Sequence, residues 1–125
     1  MTKVAWPSSC QPLALLLMGQ FNDGINIAAP LGAAVRATDN GTVAYAGNEL
    51  RGFGNLLLVK HADGWISAYA HNNELLVKPG DRVRKGQTIA RVGATGSVAS
   101  PQLHFELRRG KSPVDPQKHL VRGNV

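Results

Sequence analysis

An all-β domain is what this sequence predicts, and three observations carry the prediction. Short apolar runs alternate with turn signals along most of the chain, which places fourteen glycines and seven prolines among them. The stretch Gln102-Leu103-His104-Phe105-Glu106-Leu107-Arg108 alternates with period two, so Leu103, Phe105 and Leu107 face a core while Gln102, His104 and Glu106 face the other way. No stretch keeps a helical period over several turns. At 125 residues and 43% hydrophobic composition, the chain is sized for one domain with a core of its own.

The elements follow in order. After Trp6-Pro7 comes the leucine-rich stretch SSCQPLALLLMGQ. Its apolar run, Pro12 to Met18, falls far short of the roughly 18 residues of a membrane span and leads into no convincing signal-cleavage site, so it reads as a buried strand or short helix. Membrane insertion is not expected. Ala34-Val35-Arg36-Ala37, the turn signal Asp39-Asn40-Gly41 and Thr42 to Ala46 together predict a hairpin. Asn55 to His61 is a nearly continuous apolar run suited to a central strand, turned by Ala62-Asp63-Gly64 into the partner strand Trp65 to His71. Between Val77 and Val92, two glycine-marked turns bracket short strands. That pattern also occurs in biotinyl and lipoyl carrier domains, but no lysine here sits between hydrophobic residues at a hairpin tip. Pro113-Val114-Asp115-Pro116 predicts a rigid closing turn, followed by a basic tail.

Charge narrows the partner classes. The net charge is +6, and residues 78–125 hold ten Lys/Arg against three acidic residues, while residues 1–77 hold four against five. Phe105 is the only aromatic residue in the basic half, and no aromatic-basic ribbon or helix-turn-helix accompanies it, so nucleic acid is not the expected partner. An anionic polymer or an acidic protein surface suits the charge better, and a merely solvated basic surface stays open beside them. The single cysteine, Cys10, makes no internal disulfide, and no C-x-x-C pair points to a thiolate metal site. Neither Cys10 nor Ser97 or Ser100 sits in a nucleophile motif. The loop Gly93-Ala94-Thr95-Gly96-Ser97 lacks the ending of a phosphate-binding loop and reads as a turn that aims the last strand. His61 reads as a satisfied strand-end residue and His119 as a residue of the tail.

The ordered motifs NDGINIAAP, GFGNLLLVKHADGWISAYAH, VKPGDRVRKGQTIARVGATG and QLHFELRRG with VDP, over about residues 21 to 120, resemble the LytM or lysostaphin-type zinc metallopeptidase domain. The resemblance implies a curved antiparallel sheet with a groove, related to hybrid-barrel folds. In active members the first motif is His-x-Gly-x-Asp, and the last is His-x-His before Phe-Glu. Carried over, the first histidine is Asn22 here, the aspartate is Asn26, and the first histidine of the pair is Gln102. His104 keeps the ligand position and His71 an assisting one. An amide oxygen is a neutral, weak zinc ligand, and without bound zinc nothing brings the pKa of water from about 15.7 toward about 7. The resemblance therefore implies a domain without catalysis and without a cofactor, its groove lined by Asn22, Asn26, His71, Gln102 and His104.

Within the family, NDGINIAAP, LRGFGNLL and SPQLHFELRRG resemble the division-associated factors of the EnvC, NlpD and DipM type. That implies a periplasmic protein that binds and activates peptidoglycan amidases or other cell-wall hydrolases. Two alternatives stay open, a peptidoglycan-binding module with no activator role and a residual zinc endopeptidase. On this reading residues 1–20 form an atypical N-terminal segment, 21–120 the LytM-type domain and 121–125 a basic tail.

Overall fold

The computed structural model describes residues 4–5, 24–110, 112–114 and 120–121. Asn22, Cys10, His119 and the leucine-rich stretch over 7–20 lie outside them. Among the described residues, eleven strands run in chain order: β1 (Val4–Ala5), β2 (Ile25–Ala28), β3 (Ala34–Arg36), β4 (Gly41–Gly47), β5 (Asn55–Lys60), β6 (Trp65–Leu75), β7 (Arg82–Val83), β8 (Thr88–Val92), β9 (Gln102–Arg109), β10 (Ser112–Val114) and β11 (Leu120–Val121). A 3-10 turn, Ala62–Gly64, joins β5 to β6. The all-β expectation holds. Strands β2 to β10 form one open antiparallel sheet, and β1 pairs in parallel with β11.

The alternation read from β9 is what the sheet uses. Leu103, Phe105 and Leu107 are fully buried, and on the same face lie Leu57 and Val59 of β5, Tyr69 of β6 and Ile25 and Ile27 of β2. Each such side chain contributes about 1.5–3 kcal/mol by leaving water. Tyr69 packs its ring 5.5 Å from that of Phe105. Its hydroxyl is kept inside by Ser67 Oγ at 2.7 Å and by the Thr38 backbone N–H at 3.1 Å, and burial pushes its pKa up.

β6 organises the rest, because it changes partner along its length. Trp65 to Ala70 pair with β9 from Arg109 back to His104, whereas Asn72 to Leu75 pair with β8. Between the two halves sits a bulge: Asn55 opposes Asn72, yet Leu57 opposes Tyr69, so β6 carries one residue more than β5 across that interval. The carbonyls this leaves open are closed by one buried side chain. Asn72 Nδ2 donates to Asn55 O at 3.0 Å and to Tyr69 O at 2.9 Å.

Two sequence expectations need correction. Ala34–Ala37 and Thr42–Ala46 do not form a hairpin: β3 pairs with β8, and β4 pairs with β5 and β7. The Asp39-Asn40-Gly41 turn is a corner between those neighbours. It is held there because Ala37 exchanges backbone hydrogen bonds with Gln87 and Gly86, and Asn40 Oδ1 accepts from Lys85 N at 2.9 Å. Nor is Pro113-Val114 a turn. Both lie in β10, which lines the edge of β9, where a proline without an N–H is tolerated.

Candidate functional site

The face of β9 opposite the core builds the site. β2 runs antiparallel beside it with Asn26 directly across from His104, so two residues 78 positions apart come within hydrogen-bonding reach. His104 Nδ1 lies 2.6 Å from Asn26 Oδ1, and its Nε2 lies 2.8 Å from Glu106 Oε2. Glu106 continues the chain of contacts, since Arg108 Nε donates to its Oε1 at 2.8 Å. Burial alone would raise the Glu106 pKa, but the hydrogen bonds from His104 and Arg108 outweigh it and hold the carboxyl below its usual value. His104 and Glu106 are both buried.

Strict alternation along β6 would turn His71 into the core, since Tyr69 is there. The bulge cancels that. His71 adopts φ 68°, an uncommon left-handed conformation for a residue with a side chain, and its ring comes to 6.1 Å from that of His104. Its backbone N–H donates to Phe53 O at 2.8 Å, and Nδ1 donates to Thr95 O at 2.8 Å. A carbonyl can only accept, so Nδ1 carries a proton, and in the neutral ring Nε2 keeps its lone pair. Desolvation lowers the His71 pKa despite the Thr95 carbonyl, with His104 adding to the lowering.

Two glycine-marked loops complete the walls. Gly96 comes so near Gly52 and Gly54 that a Cβ on it would lie 2.6 Å from the Gly52 carbonyl oxygen and from the Gly54 nitrogen, and its φ is +84°. Only glycine fits that approach. Packing the loops together sets Phe53 against the histidines, its ring 6.2 Å from that of His104. The result is a groove of about 280 Å³ in which Asn26, His71, Gln102 and His104 meet, with Phe53 and Arg51 on its walls. A second, apolar hollow of about 170 Å³ adjoins it across Phe53 and His104, lined by Leu50, Leu56 and Leu58.

Four of the five side chains expected in the groove are thus together, and Asn22 lies outside the described residues. Phe53, Arg51 and Thr95 were not singled out by sequence; the glycines on either side of Phe53 were the available signal. His61 is satisfied as expected, with Nδ1 on Asn40 O and Nε2 on Ser67 Oγ, both at 2.7 Å.

The described donors do not fit a catalytic zinc, which needs three nitrogen, sulfur or carboxylate ligands and an open position. Among the described residues, no three His, Cys, Asp or Glu side chains converge. Both nitrogens of His104 are engaged, one by an amide and one by a carboxylate. Glu106 is committed to His104 and Arg108, so it does not join the two histidines as a third ligand. What the groove offers instead is hydrogen bonding from amides and a neutral imidazole, one cation and an aromatic ring.

Residues 20–116 match Peptidase family M23. The chain is 46% identical over 129 residues to the cell division protein DipM of Caulobacter vibrioides, covering 96% of this chain and 21% of that protein. It is 52% identical over 100 residues to the murein hydrolase activator NlpD of Escherichia coli, covering 79% and 26%. The chain therefore spans about a quarter or less of these relatives' own length. Among solved structures, a putative peptidase M23 from Pseudomonas aeruginosa superposes with a TM-score of 0.81 at 27% identity, over 93% of this chain and 49% of that one. The catalytic domain of lysostaphin from Staphylococcus simulans superposes with a TM-score of 0.74 at 29% identity, over 93% and 90%. With the match running through the strands that build the groove, the chain belongs to Peptidase family M23.

Proposed function

We propose that this domain is a non-catalytic activator of cell-wall hydrolases, peptidoglycan amidases foremost, and that its groove is the docking site for a segment of the hydrolase. One observation carries the reading. His104, at the position where the resemblance expects a metal ligand, has its two ring nitrogens engaged by Asn26 and Glu106, and Asn26 stands where an aspartate ligand is expected. Asn26 and Gln102 present amides suited to a peptide backbone, His71 presents a neutral acceptor, and Phe53 and Arg51 suit an apolar and an acidic side chain. The groove activates by binding the hydrolase's open state more tightly than its closed one, since only a difference in affinity shifts such an equilibrium. Relatives named as a cell division protein and a murein hydrolase activator support this role, and a cell-envelope, periplasmic setting goes with it.

Release of dye from labelled sacculi tests the reading with three samples: this domain, an amidase, and both together. Release by the pair beyond that of either alone is expected. Chelator-sensitive release by the domain alone would overturn the proposal and restore the endopeptidase alternative.

A further inference from the structure

We infer that the domain carries a second binding site, a basic cleft at the end of the sheet remote from the groove, and that this cleft holds a carboxylate-bearing peptidoglycan strand. The inference rests on the activator reading only for its purpose, which is to bring hydrolase and polymer onto one domain. The cleft has a volume of about 1040 Å³ and is walled by Lys60, Arg82 and Arg84, with Asn40, His61 and Gln87 between them. Lys60 ends β5, whose first residue, Asn55, contacts the groove loop through Thr95. At about 3.4 Å per residue, the two ends of that strand stand roughly 17 Å apart. The sites are separate.

Three features mark the cleft as a place for an anion rather than a solvated basic surface. No carboxylate lines it, and the ion pairs among the described residues are those of Glu106. Of the acids that neighbour lining residues in sequence, Asp39 Oδ1 accepts from Asn40 N at 2.8 Å and Asp81 Oδ2 from Lys78 N at 3.0 Å, while Asp63 follows Ala62 on an exposed 3-10 turn. The cations also stand on braced chain. Gln87 Oε1 accepts from Arg84 N at 2.9 Å and Asn40 Oδ1 from Lys85 N at 2.9 Å, while Lys60 and Arg82 both lie opposite Thr42 in the sheet. Little backbone ordering remains to oppose binding.

The shape and chemistry select among anions. Three cations around one open cleft suit a polymer with repeated charges. No Phe, Tyr or Trp lines it, so it lacks the stacking platform typical of a single-stranded nucleic acid site. The exposed large hydrophobics Leu31, Leu50 and Leu76 lie elsewhere, so the rim lacks the apolar side chains that enter a lipid surface. Peptidoglycan carries carboxylates along its length and is the polymer on which the hydrolases of the proposed partnership act.

Co-sedimentation of the full chain with purified sacculi, without any hydrolase, tests the inference independently of activation. Lys60→Gln with Arg84→Gln is compared with Arg36→Gln and Arg91→Gln, which remove the same charge from exposed positions outside the cleft. The first pair is expected to weaken sacculus binding by about tenfold and flatten its salt dependence, and the second to leave it within about twofold. Circular dichroism and thermal melting confirm that both variants fold. Equal losses in the two pairs, no loss in the first, or tighter binding to phosphatidylglycerol vesicles than to sacculi would each overturn the inference.

Discussion

His71 shows what a single residue does here. Its backbone takes the left-handed conformation that the β6 bulge demands, and its side chain takes a place beside His104, so one position answers two requirements. The two separate experimentally. His71→Gly keeps the backbone and removes the imidazole, so stability should be retained while hydrolase activation falls. His71→Val places a β-branched residue in a left-handed conformation that histidine tolerates better, so its thermal unfolding should come at a lower temperature than that of the parent. The groove role of His71 came from family resemblance, whereas period-two reading of its strand would have sent it inward, because a bulge leaves no mark in alternation. A second prediction belongs to the positions that the resemblance maps onto the metal site. Asn22→His and Asn26→Asp restore the two ligand types expected beside His104 in active relatives, Gln102→His restores the assisting first histidine of the pair, and the folded triple variant should take up stoichiometric zinc, as read by metal analysis after dialysis.

Among the elements, β9 was the most legible and β3 the least. Every second residue of β9 enters the core, and such a strand can be read without knowing its neighbours. Pairing is different. The Asp39-Asn40-Gly41 signal is real as a turn, but which strand follows it in the sheet is settled by contacts with Gly86 and Gln87, too distant in sequence for local chemistry to reveal. The β6 bulge depends in the same way on a residue that drew no notice. Asn72 donates to two carbonyls and keeps a buried Oδ1 without a partner among the described residues. Removing the donor strands both carbonyls, so Asn72→Ala should cost about 1–3 kcal/mol in denaturant unfolding. It should also impair activation, because the bulge that orients His71 rests on those bonds.

For the molecule as a whole, stability should depend on pH in two steps. His61 and His71 both have pKa values lowered below 6.5, by desolvation in the first place. The unfolded chain therefore takes up protons first as pH falls. Their contribution is fully present above about 6.5 and is lost as pH drops through the lower folded values. Glu106, held below 4.5, adds stability above that value that disappears on further acidification. Denaturant midpoints should therefore fall between pH 7.5 and 5 and fall again below 4.5, and His61→Gln should shrink the first step.

Asn26 and His104 meet only because β2, near the start of the described fold, lies against β9, near its end. Folding of such a sheet is governed by closing long stretches of chain before their contacts can form, which places its rate in the milliseconds-to-seconds range rather than microseconds. The groove consequently has no early, half-built form. Until β9 is laid between β2 and β6, both present open strand edges that invite pairing with other chains, so the interval before the binding surface exists is also the interval in which the domain is most exposed to aggregation.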